Sequence, residues 1–244
     1  MSRPRARTDG REPSTDSAPR QKLGSNSRAR STDMASAAPA RDYKRIVQRG
    51  YDRISTAYRD DAGASNPEYF TWLQAYLLPR LTPSARVLDL GCGNGVPTAR
   101  ILSQHHDVIG VDISAVQIRR ARKLVPEATF IRQDMATVEF PWHSFDAVVS
   151  FFALIHVPIS EQREIISRLS VWLRPGGLFL GTVGLDAWTG FADFYGTTMY
   201  WSQAAASTYV GWLKQAGIDV IAQEFIPEAA SAGHQLLVGV RRGS

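Results

Sequence analysis

The feature that most constrains this chain is a glycine-rich turn between an apolar strand and a helix. Residues 87–95 read VLDLGCGNG, so an apolar run is followed by Gly91, Gly93 and Gly95. Glycine accepts a positive φ and lets a ligand approach the bare backbone, and the start of a helix presents free N–H groups. The run therefore predicts a nucleotide-type binding corner at the carboxyl end of a buried strand.

A carboxylate at the end of the next apolar run supports this prediction. Residues 108–111 are Val-Ile-Gly-Val, and Asp112 follows them. The spacing suits an acidic side chain at the tip of the neighbouring strand that reaches a ribose diol. A tight strand–helix turn without any ligand is the alternative, and it gives no reason for the position of Asp112.

The glycine spacing separates two classes of nucleotide site. The dinucleotide fingerprint G-x-G-x-x-G requires glycine where this chain has Val96, so an NAD-dependent oxidoreductase is disfavoured. The acidic residue followed by G-x-G-x-G, here Asp89 and residues 91–95, resembles motif I of the class I S-adenosylmethionine-dependent methyltransferases.

Three further segments resemble the same family. Residues 130–135 (FIRQDM) end a strand in an acidic residue, and residues 145–152 (FDAVVSFF) resemble motif IV, the strand tip beside the reactive sulfonium. Residues 172–180 (WLRPGGLFL) contain the L-x-P-G-G turn of the family, which is a packing signature. More loosely, residues 43–58 and 184–240 resemble bacterial-type small-molecule methyltransferases.

The alternation of strands and helices from residue 86 onward predicts an α/β domain. We expect a doubly wound, Rossmann-like sheet of seven mostly parallel strands with helices on both faces. The last two apolar runs, 218–226 and 234–241, are separated by residues 227–233 without a helix. This predicts a closing hairpin with an antiparallel last strand, which the resemblance also implies.

The resemblance implies S-adenosylmethionine as cofactor and S-adenosylhomocysteine as product. It assigns the glycine loop to the methionine part of the cofactor, Asp112 to the ribose, and Asp134 with the next backbone amide to the adenine. The residues expected to contact the cofactor are Asp89, Gly91, Cys92, Gly93, Asn94, Gly95, Asp112, Ile113, Gln117, Asp134, Met135, Ser150, Phe151 and Tyr58.

Two residues are candidates for a general base. Methyl transfer from a sulfonium is an in-line displacement, in which the enzyme aligns the nucleophile with the methyl group and excludes water. His156 follows the motif IV tip, and its ordinary pKa of about 6.5 suits a base. The alternative role for His156 is a structural one at a helix start, and Tyr200 is the second candidate base. The other histidines lack ligand spacing, so we expect no metal.

The segment 184–212 is dense in aromatic residues and is interrupted by glycines. It is either a lid over the acceptor or a helical cap that packs on the sheet. Tyr43, Tyr51 and Tyr58 are expected to close the cleft from the amino-terminal side. The aromatic residues of the segment are Trp188, Phe191, Phe194, Tyr195, Tyr200, Trp201, Tyr209 and Trp212.

The acceptor is expected to be a small, apolar or aromatic molecule with an oxygen, nitrogen or sulfur nucleophile. Family members that methylate base amines carry a Pro-Pro-aromatic motif IV tip, whereas residues 150–153 here are Ser-Phe-Phe-Ala. The alternative function is that of a non-transferring protein that binds the cofactor or its product, or an enzyme that uses the fold for another reaction.

The charge distribution divides the chain at residue 41. Residues 1–41 hold nine basic and four acidic residues, which leaves 19 of each sign in residues 42–244. A neutral domain lacks the basic face that nucleic acid requires, so we expect no nucleic-acid partner. The Ser/Arg-rich tail is predicted to be disordered. A transit peptide is disfavoured by its acidic residues, and Met34 is an alternative start.

The remaining features bound the location and the domain layout. Cys92 is the single cysteine, so an intrachain disulfide is impossible and a reducing, cytoplasmic location is expected. No apolar run is long enough to span a membrane, and no secretory signal is recognisable. Residues 42–244 are expected to form one domain that begins with a helical cap over residues 42–83. The oligomeric state stays open.

Overall fold

The structure is a computed structural model that describes residues 40–61, 67–228 and 232–243, without the side chains of Ala40, Arg41 and Pro67. The tail predicted over residues 1–41 lies outside these residues except at its end. There, the first helix begins at Ala40, two residues before the predicted boundary.

The helices and strands follow the alternation that the sequence predicts. The helices are α1 (Ala40–Tyr58), α2 (Pro67–Trp72), α3 (Thr98–Leu102), α4 (Ala115–Leu124), α5 (Ile159–Trp172) and α6 (Ala206–Gln215). The strands are β1 (Arg86–Leu90), β2 (Asp107–Asp112), β3 (Thr129–Arg132), β4 (Phe145–Ser150), β5 (Leu173–Gly184), β6 (Trp188–Phe194), β7 (Thr197–Gln203), β8 (Ile218–Ile226) and β9 (His234–Arg241). A π-helical turn (Leu73–Leu77) and a 3₁₀ turn (Leu78–Arg80) continue α2, and a second 3₁₀ turn covers Leu154–His156.

Within the described residues, seven strands form one sheet in the order β3-β2-β1-β4-β5-β9-β8. Neighbours from β3 to β5 pair in parallel, and β9 runs antiparallel to both β5 and β8. The predicted doubly wound sheet with an antiparallel last strand is therefore confirmed. The strand order reverses at β1, which places the ligand crevice of such a sheet at its carboxyl end.

Apolar side chains cover both faces of the sheet. Along β1, Val87 belongs to one buried cluster and Leu88 to the other. One cluster includes Trp172 of α5, and the other includes Ile118 of α4. A strand buried on both faces has a nearly continuous apolar sequence, which is why β1, β2 and β4 were recognisable as strands.

The segment after β5 differs from the helical alternative considered for it. β6 and β7 pair as an antiparallel hairpin, and only α6 after them is helical. Tyr195 and Gly196 at the hairpin turn both have positive φ, as a tight two-residue hairpin requires. The hairpin packs on α1 through a third buried cluster that includes Val47, Ile54 and Met199. This contact fixes the position of α1 beside the crevice.

The described residues contain no helix with the length and apolar character that crossing a membrane would need.

Candidate functional site

An open cleft of about 710 Å³ lies at the carboxyl edge of the parallel strands. Its walls come from the turns after β1, β2, β3 and β4 and from one face of α1. This figure includes space that is open to solvent, and the place of the cleft matches the crevice where the strand order reverses.

The glycine loop forms the floor of the cleft. Gly91 has a φ of +79°, and its N–H donates to the Val111 carbonyl at 2.7 Å. A Cβ at residue 91 would collide with the Cβ of Ala153 after β4. Glycine is therefore required here both by the backbone conformation and by the close approach of two loops.

Asp112 stands at the tip of β2 and joins two loops of the cleft. Its Oδ2 accepts from the Gly93 N–H at 2.9 Å, and its Oδ1 accepts from the Ser114 N–H at 2.8 Å. Burial raises the pKa of the carboxyl, while these two backbone hydrogen bonds oppose that rise. Each carboxylate oxygen keeps a lone pair, so the group can also accept from a diol in the cleft.

Asp134 follows β3 and contacts a lysine from α1. Its Oδ1 accepts from the Ala136 N–H at 2.9 Å, and its Oδ2 pairs with Lys44 Nζ at 2.5 Å. Lys44 also pairs with Glu161 at 2.6 Å. Burial on its own would lower the pKa of Lys44, but the hydrogen bonds to the two carboxylates raise it above its usual value. Lys44 thus neutralises the carboxylate expected to meet the adenine.

The structure brings most of the predicted site residues to the cleft and places others behind it. The predicted residues that line the cleft are Tyr58, Gly91, Gly93, Asp112, Ile113, Gln117, Asp134, Met135, Phe151 and His156. Those that do not line it are Asp89, Cys92, Asn94, Gly95, Ser150 and Tyr200.

The residues behind the cleft hold its loops. The Asn94 side chain donates to the Asp60 carbonyl at 3.2 Å and accepts from the Val96 N–H at 3.2 Å. The Ser150 hydroxyl donates to the Leu90 carbonyl at 3.0 Å. Both side chains are fully buried, so they shape the glycine loop and its connection to β4 without facing the cleft.

A buried arginine and a buried carboxylate lie beside the glycine loop. Arg59 lines the cleft and donates through Nη1 to the Val96 carbonyl at 3.1 Å and through Nη2 to the Tyr69 hydroxyl at 3.1 Å. Its Nε and the Asp89 Oδ2 have no hydrogen-bond partner among the residues that the structure describes. Burial raises the pKa of Asp89 to about 7. Two opposite charges with unused hydrogen-bonding capacity are therefore available beside the loop.

His156 lies in the 3₁₀ turn after the β4 tip and is only 7% exposed. Its Nδ1 is 2.8 Å from the Tyr200 carbonyl, and its Nε2 is 2.8 Å from the Tyr51 hydroxyl. Burial lowers the pKa of His156 to about 4, so the imidazole is neutral at ordinary pH. The side chain therefore faces the cleft in the form that can accept a proton.

Tyr200 contributes only its backbone carbonyl to this arrangement. Its ring stacks on Tyr43 with a centroid distance of 4.4 Å and also contacts Phe191. The side chain is 5% exposed and does not line the cleft. The Tyr200 phenol is packed in the contact between α1 and the hairpin, away from the cleft lining, so Tyr200 as an alternative base stays a prediction that this placement does not support.

Several cleft residues were missed by the sequence analysis. The motif IV segment was recognised, but its residues Phe152 and Ala153 were not assigned to the site; the positive φ of Phe152 turns the chain there. The others that were not assigned are Lys44, Val47, Arg59, Val111, Gln133 and Val157. Lys44 and Arg59 come from or directly follow α1, where no local motif marks a binding residue.

Comparison with known proteins agrees with this geometry. Residues 87–177 match the family described as "Methyltransferase domain". An uncharacterized methyltransferase of Mycobacterium tuberculosis is 42% identical over 93 residues, which are 37% of this chain and 46% of that protein. The chain spans about half the length of the curated relatives it matches.

Two solved structures share the fold. The [4+2]-cyclase SpnF has a TM-score of 0.65 at 18% identity, with 81% of this chain and 95% of that chain covered. A 1,6-didemethyltoxoflavin-N1-methyltransferase of Burkholderia thailandensis, with 1,6-didemethyltoxoflavin and S-adenosylhomocysteine bound, has a TM-score of 0.64 at 20% identity. That match covers 86% of this chain and 93% of that chain. Identities this low support the fold and leave the reaction open.

Proposed function

Because this chain belongs to the class I S-adenosylmethionine-dependent methyltransferase family, we propose that it transfers the methyl group of S-adenosylmethionine to a small, apolar or aromatic acceptor. The observation that carries the proposal is the position of Asp112, which hydrogen-bonds the glycine loop at the mouth of the cleft. Besides joining two loops, Asp112 lines the cleft and keeps lone pairs that can accept from the two hydroxyl groups of a ribose.

The polar groups of the cleft fit the cofactor. Gly91 and Gly93 line the cleft without side chains, so their backbone atoms are accessible to a ligand. Arg59 lines the cleft, and its guanidinium would pair with the carboxylate of the methionine part. Asp112 would hold the ribose, and Ile113 and Met135 would flank the adenine. When bound, the cofactor supplies the activated methyl group.

The acceptor side of the cleft supports a small apolar or aromatic substrate. Val47, Tyr51 and Phe152 line it, and the hairpin residues Phe194 and Tyr195 contact Tyr58 at its rim. Aromatic walls of this kind bind flat or apolar groups and exclude water from the reacting atoms. The nucleophile would be an oxygen, nitrogen or sulfur atom, and the neutral imidazole of His156 is the base in the proposal.

The alternative function is binding of the cofactor or its product without methyl transfer. It remains open because a protein of the same fold, SpnF, is described as a [4+2]-cyclase. The proposal also includes one domain over residues 42–244, a cytoplasmic location based on the single buried cysteine, and no nucleic-acid substrate.

The test begins with binding of S-adenosylhomocysteine to the full chain, measured by calorimetry. Asp112→Asn should weaken binding at least about tenfold, because a hydrogen bond to a charged group contributes about 1.5–3 kcal/mol. Asp107→Asn is the matched control, since Asp107 lies at the opposite end of β2, is exposed, and should not matter. Unchanged affinity in a folded Asp112→Asn variant would contradict the cofactor assignment.

A second measurement separates methyl transfer from binding alone. The full chain is incubated with cofactor labelled on the methyl group and a panel of small phenols, amines and thiols. Transfer of the label to a member of the panel is the expected result. Tight binding of S-adenosylhomocysteine without any transfer would favour the non-transferring alternative.

A further inference from the structure

We propose that Tyr51 and His156 form a two-step proton path from the acceptor, so that the site selects acceptors whose nucleophilic atom carries a proton. This inference rests on the proposed methyl transfer. It names Tyr51 as the residue that contacts the acceptor and His156 as the final proton carrier behind it.

The hydrogen bonds fix which nitrogen of His156 is free. The Tyr200 carbonyl can only accept, so His156 Nδ1 carries the hydrogen of that 2.8 Å bond. A neutral imidazole has one N–H, and Nε2 is therefore unprotonated. It accepts from the Tyr51 hydroxyl at 2.8 Å. The nitrogen of His156 that can accept a proton is therefore hydrogen-bonded to Tyr51, and a proton from the cleft reaches it by way of the Tyr51 hydroxyl.

Tyr51 lies at the cleft and has a lone pair on its hydroxyl oxygen that can accept the proton in the first step. Its side chain lines the cleft, and edge contacts with Tyr58 at 5.4 Å and Phe194 at 6.4 Å hold the ring. Burial raises the pKa of Tyr51 well above its ordinary value, so the phenol stays protonated. While it donates to His156, its oxygen can still accept from an O–H or N–H in the cleft.

The charged and titratable groups around the pair come from several elements. Tyr51 faces Tyr58 and Arg59 at the end of α1, Asp112 of β2 and Tyr69 of α2. His156 faces His234 of β9, whose pKa is also lowered by burial. Among the residues that the structure describes, no carboxylate is hydrogen-bonded to the imidazole, so we expect its protonation to depend on charge changes within the cleft.

The proton transfers balance with methyl transfer. The acceptor atom forms a bond with the methyl carbon as the carbon–sulfur bond breaks, and the electron pair of that bond remains on sulfur. The acceptor's proton moves to the Tyr51 oxygen, and the Tyr51 proton moves to His156 Nε2. A positive charge leaves sulfur as another appears on the imidazole. The net charge of the buried site is therefore constant, which offsets the cost of protonating a buried histidine.

The competing interpretation is that the Tyr51–His156 bond only attaches α1 to the core. In that case a nucleophile without a proton should serve equally well, and removal of the Tyr51 hydroxyl should lower stability without a specific effect on rate. These two outcomes can be measured separately because Tyr51→Phe keeps the ring and its contacts.

The first measurement is nitrogen NMR of the histidines in the full chain with S-adenosylhomocysteine bound. We expect His156 to be neutral with the hydrogen on Nδ1. In Tyr51→Phe, its pKa should rise, since the lost hydrogen bond stabilised the neutral form. A hydrogen on Nε2 in the unaltered chain would overturn the proposal, because no proton could then be accepted from Tyr51.

The second measurement is the single-turnover rate with paired acceptors of one skeleton. One member carries a phenol or secondary amine, and its partner carries a thioether or tertiary amine. Tyr51→Phe and His156→Gln should each slow transfer to the protonated member roughly 10²-fold. Their affinity for S-adenosylhomocysteine should stay unchanged. Tyr76→Phe is the control, because the Tyr76 hydroxyl donates to Glu224 at an exposed position and Tyr76 does not line the cleft.

Three results would count against the path. Methylation of the proton-free partner by the unaltered chain as fast as that of the protonated partner would overturn it, as would a loss of melting temperature in Tyr51→Phe with no change in the rate for the protonated partner. Transfer to no member of the panel, with S-adenosylhomocysteine bound, would remove the proposed function and the path together. Failure of the path alone would leave transfer and cofactor binding intact.

Discussion

At the scale of single residues, burial sets the charge of the groups around the cleft. Asp89 is 3% exposed, and burial raises its pKa to about 7, although the nearby Arg59 opposes this shift. In the unfolded chain, a carboxyl has a pKa of about 3.9. The folded state therefore binds a proton more tightly at this site than the unfolded chain does.

The first prediction concerns the stability of Asp89→Asn as a function of pH. The contribution of Asp89 to the free energy of unfolding is fully present below pH about 3.9, where the carboxyl is protonated in both states. It is lost as the pH rises to about 7. The variant should match the unaltered chain at pH 4 and be more stable at pH 8, because it never carries the buried charge. Urea unfolding at both values measures this. A stability difference independent of pH would contradict the assignment of a raised pKa.

Some of these residues were predictable from the sequence and others were not. Gly91 and Asp112 were recognisable because a ligand corner imposes its own local spacing at strand ends. Lys44 and Arg59 reach the cleft only because α1 docks against β7 and α4, and this docking is not encoded in any short pattern. Tyr51 was expected at the cleft, but its bond to His156 depends on the same docking.

At the scale of elements, α1 is attached to the cofactor side of the sheet through the start of α4. Asp52 of α1 accepts through Oδ1 from the Ser114 hydroxyl at 2.6 Å and from the Val116 N–H at 3.0 Å. Ser114 caps α4 by accepting from the Gln117 N–H at 3.1 Å. One carboxylate thus satisfies a helix start and holds a second helix over it.

The prediction at this scale is that Asp52→Ala destabilises the domain by about 1–3 kcal/mol, because it leaves the Val116 N–H and the Ser114 hydroxyl without their charged acceptor. It should also weaken binding of S-adenosylhomocysteine, since α1 supplies Lys44, which lines the cleft and pairs with Asp134. Denaturant unfolding and calorimetry measure the two effects. Asp42→Ala, an exposed position in the same helix, should show neither. Equal behaviour of the two variants would show that the α1–α4 contact is not needed.

The strands and helices were predictable where the spacing of apolar residues in the sequence matches the positions that are buried in the fold, as in β1, β2, β4 and α4. The hairpin of β6 and β7 was harder to predict. Aromatic residues occupy both its exposed and its buried positions, so its sequence lacks the alternation of polar and apolar residues that is typical of a strand. Phe191 is 51% exposed and Tyr200 is 5% exposed, although they pair across the hairpin. Aromatic density alone therefore could not distinguish a helical cap from a hairpin.

At the scale of the whole molecule, the positive charge of the chain is concentrated in residues 1–41. The chain carries a formal net charge of +5, whereas residues 42–244 hold equal numbers of basic and acidic residues. Within the part of the chain that the structure describes, the core clusters and the cleft lining come from residues after position 41. We therefore expect the segment to be dispensable for the stability of the domain and for its cofactor site.

The last prediction is that a chain starting at Met34 has the melting temperature and the S-adenosylhomocysteine affinity of the full chain. It still includes α1 from Ala40 onward, and with it Lys44 and Tyr51. A chain starting at Arg53 is the contrasting variant, because it loses the α1 residues that line the cleft and pack on the hairpin. That variant should lose both stability and affinity. A clear fall in melting temperature on starting at Met34 would show that residues before it pack against the domain, and a fall in affinity alone would place them at the cofactor site.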